Sequence, residues 1–183
     1  MKHIAVFFAT GYEEIEALTV VDLCRRAQIQ TDMVSVTEEK QVTGAHGICV
    51  TMDYTLEETD FDNLDMIVLP GGMPGTKGLE ACEPLMKRLD QSYKEGPGIS
   101  AICAAPSILG HRGYLQGRTA CSYPSFESHL EGAQVSKNSV EVSEHVITSR
   151  GMGCAIDFGL AIVEKYQGKE AAQTLAASII YEK

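Results

Sequence analysis

The chain reads as an α/β domain built around a mainly parallel sheet. Three observations predict this. Apolar runs such as Ile4-Ala5-Val6-Phe7-Phe8, Met66-Ile67-Val68-Leu69 and the stretch Gly98 to Ile102 suit strands covered on both faces. Segments with helical periodicity alternate with them. Each run stops abruptly at turn-forming or small residues: Thr10-Gly11, Pro70-Gly71-Gly72 and Cys103-Ala104-Ala105-Pro106.

The elements follow in order. Ile4 to Phe8 is the first core strand, broken at Thr10-Gly11-Tyr12. Glu13 to Ala27 reads as a helix. At about 100° per residue, Ala17, Val20, Val21, Leu23, Cys24 and Ala27 share one face, and Asp22, Arg25 and Arg26 lie opposite. Thr31 to Val36 alternates as a second strand. Thr43-Gly44-Ala45-His46-Gly47 is a turn between two short strands. After the third core strand, Met66 to Leu69, the segment Leu79 to Tyr93 is expected to be mostly helical, with Pro84 tolerated near its first turn. Gly98 to Ile102 is the next core strand, and a helix opens at Pro106. Thr119-Ala120-Cys121 is a short strand, and Ser139 to Val142 with His145 to Thr148 suggests a hairpin. Helices at Ala155 to Gln167 and Lys169 to Tyr181 close the chain. With no internal repeat, linker or low-complexity tract in 183 residues, one domain spanning 1–183 is expected.

A net charge of −10 argues against a nucleic-acid phosphate footprint or an anionic membrane surface as partner. The apolar run after Lys2-His3 is too short for a signal sequence or a membrane span. The six cysteines form no C-x-x-C pair and show no zinc-ligand spacing, so no metal site is expected. In the absence of an export signal they are expected to be reduced, cytoplasmic thiols, most of them buried.

Cys103 is the candidate nucleophile. It ends a strand at a corner leading into a helix, where the helix start favours the thiolate, the reactive form. Gly71-Gly72 follows another core strand, and its amides, with that of Ala104, can hold an oxyanion. Glu16 falls inside the apolar arc of the first helix, beside Val20 and Leu23, so its carboxyl is expected to be desolvated with a raised pKa. A protonated glutamate near a thiolate can donate a hydrogen bond or move a proton. Glu13 and Glu14, by contrast, suit the helix dipole and need no other role. The same wheel leaves Ile15 and Leu18 on the polar side, a candidate homodimer contact. The five histidines show no catalytic pattern, and surface or capping roles are expected for them.

In this order, Gly11-Tyr12-Glu13-Glu14-Ile15-Glu16, Val68-Leu69-Pro70-Gly71-Gly72, Ala101-Ile102-Cys103-Ala104-Ala105-Pro106 and Thr148-Ser149-Arg150-Gly151 leading into Phe158-Gly159-Leu160-Ala161-Ile162-Val163-Glu164 resemble the ThiJ/PfpI superfamily, in its DJ-one/YajL-like branch. The resemblance implies a flavodoxin-like three-layer sandwich of the class I glutamine-amidotransferase type, and a homodimer that uses the first helix. It matches Cys103 to the family's oxidation-prone nucleophile, Glu16 to the glutamate that bonds it, and Gly71, Gly72 and Ala104 to the anion pocket. Tyr123, His46 and Arg150 are further pocket candidates. The protease-like branch has a histidine where this chain has Ala104, so peptidase activity is not expected; some DJ-one members have one where it has Tyr123, so a histidine-assisted isomerisation is not expected either. With a pKa of about 10 tyrosine is a poor base near neutrality, so proton transfer falls to Glu16.

These readings lead to a cysteine-dependent, cofactor-free glyoxalase or deglycase. Its substrates would be methylglyoxal, glyoxal or their early protein adducts, and its product a hydroxy acid. The alternative is a redox-sensing stress protein or chaperone working through oxidation of Cys103.

Overall fold

The computed structural model describes residues 2–182. The strands and helices are β1 (His3–Phe8), α1 (Glu14–Arg26), β2 (Gln30–Ser35), β3 (Gln41–Thr43), β4 (Cys49–Thr51), β5 (Tyr54–Thr55), β6 (Met66–Leu69), α2 (Gly75–Ala81), α3 (Glu83–Glu95), β7 (Gly98–Ile102), α4 (Pro106–His111), β8 (Thr119–Ala120), β9 (Gln134–Val135), β10 (Val140–Ser143), β11 (Val146–Ser149), α5 (Ala155–Gln167) and α6 (Lys169–Ser178). Short 3-10 helices occupy Phe61–Asn63, Pro124–His129 and Met152–Cys154.

Seven strands form the central sheet in the order β10-β11-β7-β6-β1-β2-β5. All neighbours are parallel except β10 and β11, which form the expected antiparallel hairpin. Alternate residues of each strand feed opposite faces. Ile4, Val6 and Phe8 pack with Met66 and Val68 against the apolar faces of α1, α5 and α6. Ala5 and Phe7 pack with Ile67, Leu69, Ile99 and Ala101 against α2, α3 and α4. The molecule is thus the α/β three-layer sandwich expected from its sequence, with helices on both faces of a mainly parallel sheet.

Register decides which loops meet. Leu69 pairs with Ala101, and Ile102 pairs with Ser149. The chain therefore leaves β6, β7 and β11 at one edge, bringing 70–72, 103–105 and 150–151 together. The carboxyl ends of the strands form the site, as in other open α/β sheets.

Two expectations need correction, on the helix after Leu79 and on the burial of the cysteines, and the short strand at Thr119 finds its partner. The helix expected over Leu79 to Tyr93 is two helices, broken at Cys82, whose ψ of 90° is extended. Pro84 lacks the N–H that would bond the Glu80 carbonyl, and its ring conflicts with the preceding turn, so it opens a second helix instead. The strand at Thr119 lies outside the main sheet and pairs with β9. Only Cys24 and Cys121 are buried, whereas Cys49 is exposed and Cys82, Cys103 and Cys154 are half-buried. Among the described residues no helix is long and apolar enough to cross a membrane.

Gly110 sets the fit of α4, the helix that follows Cys103. A Cβ at Gly110 would lie 2.0 Å from the His129 carbonyl oxygen. Gly110→Ala is expected to lower stability by about 1–3 kcal/mol, read as a lower urea midpoint with an unchanged slope.

Candidate active site

Cys103 sits at a strained corner. Its φ of 66° is left-handed, a conformation that costs a residue with a Cβ about 1–3 kcal/mol. Three backbone bonds hold it there. Its N–H donates to the Ser149 carbonyl at 3.0 Å, its carbonyl accepts from Tyr123 N–H at 2.8 Å, and Ala105 N–H reaches back to Ile102 at 3.1 Å. Ser107 is buried and bonds the Ala104 carbonyl through both its N–H and its hydroxyl. The geometry is that of a nucleophile elbow, with the side chain at the top of the sheet. Because α4 is only six residues long, local amides rather than a long helix dipole act on the sulfur.

Glu16 approaches from α1. Helical spacing turns it inward, and it is 1% exposed. Its Oε2 accepts from Gly71 N–H at 3.0 Å. Its Oε1 is buried with no hydrogen-bond partner from another N or O group. Burial pushes the carboxyl up to about 7, reinforced by the nearby Glu13 charge and opposed by its bonds to Cys103 and Gly71. At neutral pH the protonated and ionised forms are therefore both populated.

The thiol belongs to the same electrostatic unit. Burial pushes Cys103 well above its ordinary value, and the ionised Glu16 beside it pushes further. The amides of Ala104 and Gly72 pull the other way by donating to the sulfur. A proton on Glu16 removes the repulsion and turns the carboxyl into a donor to the sulfur, so the two groups titrate as a coupled pair. Cys24 has no such support, and burial alone pushes it up to about 12.

The glycines are there for space. A Cβ on Gly71 would lie 2.6 Å from both Cys103 Cβ and Glu16 Oε2. Gly72 has a φ of 92°, and a Cβ there would lie 2.3 Å from Glu13 N. The loop is laced onto α1: Glu13 N–H donates to the Gly71 carbonyl at 2.9 Å, and the Glu13 carboxylate caps Glu16 N–H at 2.8 Å. Glu13 thus has a clear structural duty at the helix start.

The remaining sequence candidates divide. The Tyr123 ring is half exposed at the mouth, and its Cδ2 lies 3.5 Å from where a Gly151 Cβ would be. That same point is 3.9 Å from Cys103 Sγ and 3.9 Å from Glu16 Oε1, so Gly151 keeps the space above both groups open. Gly151 was visible in the sequence only as part of a motif, because no local pattern reports what a missing Cβ leaves open. Arg150 turns to the Lys137 carbonyl at 3.4 Å and to Glu127 at 3.6 Å. His46 bonds Glu14, with its N–H at 2.7 Å and its Nδ1 at 2.8 Å. Glu14 is 3% exposed, so its position reflects this bond rather than the helix dipole alone. Burial would raise the Glu14 carboxyl, but the two bonds from His46 hold it below its ordinary value. Ile15 is 51% exposed, while Leu18 is half-buried against the core.

A family model described as the DJ-1/PfpI family matches residues 2–165. Protein dj-1beta of Drosophila melanogaster is 34% identical, with 98% of this chain and 97% of that protein covered. Glutathione-independent glyoxalase DJR-1.2 of Caenorhabditis elegans is 33% identical, with 89% and 87% covered. Against Protein DJ-1 homolog B and homolog A of Arabidopsis thaliana, 98% of this chain aligns at 33% and 32% identity, but the chain spans only 41% and 46% of their length. Among solved structures, oxidized DJ-1 of Toxoplasma gondii superposes with a TM-score of 0.96 at 33% identity, with both chains fully covered.

An acid whose pKa is higher folded than unfolded weakens folding as it ionises. The Glu16 contribution to stability is therefore full below about pH 4.5 and lost as pH rises through about 7. Glu16→Gln keeps an acceptor for Gly71 N–H and removes the charge. The variant is expected to match wild type at pH 4.5 and to be more stable at pH 8, by up to about 3 kcal/mol in urea unfolding.

Proposed function

The chain belongs to the DJ-1/PfpI family, and from that premise we propose that it is a cysteine-dependent glyoxalase, acting on small α-oxoaldehydes or their early adducts on proteins. The observation that carries this reading is the buried Glu16 carboxyl hydrogen-bonded to Cys103, beside two amides that donate to the sulfur. A relative named as a glutathione-independent glyoxalase supports it.

The chemistry follows from the geometry. The Cys103 thiolate attacks the aldehyde carbon of methylglyoxal, forming a C–S bond. The amides of Gly72 and Ala104 stabilise the developing oxyanion, and Glu16 supplies the proton that makes it a hydroxyl. Glu16 is now a carboxylate with a free oxygen facing the adduct. It removes the proton from the former aldehyde carbon and returns one to the neighbouring carbon, while the proton of the new hydroxyl passes to the former ketone oxygen. The aldehyde carbon is oxidised to a thioester as the ketone carbon is reduced to an alcohol, so no external oxidant enters. Water cleaves the thioester, giving lactate and the free thiol. No metal or organic cofactor takes part. Tyr123 borders the mouth and shapes access.

The same donors favour a second reading. Peroxide converts the thiolate to a sulfenate and then a sulfinate. The Gly72 and Ala104 amides and a protonated Glu16 would all donate to that anion. The solved Toxoplasma gondii relative is itself an oxidized form. A redox-sensing or chaperone role would thus use the same atoms.

A homodimer through α1 is part of the proposal. Ile15 is 51% exposed beside Glu14, whose partner His46 lies in the turn before Ile48, itself 53% exposed. Ile15→Glu is expected to shift a sedimenting dimer to monomer, and a monomeric wild type would sink this part.

Activity separates the residue roles. Cys103→Ser is expected to abolish lactate formation from methylglyoxal, and undiminished turnover would exclude the mechanism. Glu16→Gln is expected to lower kcat by about 100-fold or more, the usual scale for a lost general base. With mild peroxide, peptide mass spectrometry should find oxidation concentrated at Cys103. Oxidation spread evenly over all six cysteines would count against a tuned sensor.

A further inference from the structure

On the surface, three side chains from three elements form an unbroken line. Glu80 of α2 holds His111 Nδ1 through its Oε1 at 2.6 Å, and His111 Nε2, at the end of α4, lies 3.1 Å from His129 Nδ1. The imidazoles meet at 79° with ring centres 5.3 Å apart. None of these residues belongs to the Cys103 site, and their separation along the chain hides them from any ligand-spacing rule.

A carboxylate this close takes the Nδ1 proton of neutral His111 as a donor and leaves Nε2 bare. This is the arrangement by which carboxylates orient metal-bound histidines from behind. We propose that His111 Nε2 and His129 Nδ1 bind one divalent cation of the zinc class, with Glu80 as the positioning residue. Imidazole pairs suit zinc, copper and nickel ions rather than magnesium or calcium. Two nitrogens on one tetrahedral zinc sit about 3.3 Å apart, close to the present gap; on binding, the proton that His129 Nδ1 now donates to His111 Nε2 moves to His129 Nε2, and both rings turn their lone pairs toward the metal.

The backbone beneath the pair is already fixed. Gly110, next to His111, touches the His129 carbonyl so closely that a Cβ would not fit. The two imidazoles thus stand on a common rigid base, a condition for a preorganised site. His111 and Glu80 have side-chain exposures of 35% and 37%, and His129 is also exposed, so a hydrated ion can reach them. The remaining coordination positions fall to water. A bound ion would staple α4, which follows Cys103, to the 3-10 helix that follows Tyr123. Its place is structural and does not depend on the glyoxalase reading.

The six thiols also attract zinc, so the test must resolve individual residues. Zinc chloride is titrated into the full-length chain while the histidine side chains are followed by carbon-edited NMR. The His111 and His129 ring signals are expected to shift together and saturate at one zinc. His111→Ala should abolish the shift of His129, and His129→Ala that of His111. Glu80→Gln should weaken binding by about 10- to 100-fold while keeping the same two signals responsive. Ring signals that stay in place at millimolar zinc would overturn the proposal and leave the three residues as a hydrogen-bonded strap. So would zinc uptake that is unchanged in both alanine variants, which would put the metal on the cysteines.

Discussion

Two acids, the Glu16 carboxyl and the Cys103 thiol, share a largely buried pocket in which negative charge is costly. Burial raises both; the ionised Glu16 raises the thiol further, while the bond from Cys103 pulls the carboxyl back down. Water can do little to separate them, because Glu16 is 1% exposed and Cys103 half-buried. A proton moved from the thiol to Glu16 stays inside the pocket. A thiolate formed in this way keeps a neutral donor beside it, which matters for a nucleophile and equally for an oxidised sulfur. Glu16 is poised near 7, where an acid–base group has access to both of its forms.

The rest of the structure holds this pair at contact distance. Strand register brings the ends of β6, β7 and β11 to one edge. The left-handed turn at Cys103 aims its side chain back over the sheet, and the bonds to Ser149 and Tyr123 keep it there. Gly71 lets α1 come close enough for Glu16 to accept from its amide. A single methyl group at Gly71 would drive the two acids apart. The strain at Cys103 and the tight glycine contacts are costs carried by a core in which β1, β6 and β7 are almost wholly buried.

Two positions narrow the chemistry. Ala104 follows the nucleophile and contributes its amide but no side-chain base. Tyr123 stands half exposed at the mouth and offers a phenol rather than an imidazole. His46 is engaged by Glu14, and Arg150 by Glu127 and the Lys137 carbonyl. Glu16 is the group among these whose bonds lead to the thiol. An aldehyde adduct and a sulfinate would both present negative oxygen beside the amides of Gly72 and Ala104, which is why one site supports both readings.

Much of this was legible in the chain. Apolar runs marked β1, β6 and β7, helical spacing turned Glu16 inward, and the small residues after Ile102 marked the corner at Cys103. These are local signals: they depend on backbone periodicity and on which residues tolerate a turn. The break at Cys82 is a local signal too, set by a proline that starts a new helix rather than joining the one before it. Other features required the assembled sheet. Gly151 faces the thiol because β11 lies beside β7. Glu14 is buried because the turn at His46 folds over it. Glu80, His111 and His129 meet because α2, α4 and a 3-10 helix end at one patch. By itself the sequence determined the layers, the cysteine corner and the inward carboxylate, since periodicity is written residue by residue. Only the tertiary structure decided which polar groups face one another, because contacts between distant segments follow from strand order and register, which no local pattern encodes.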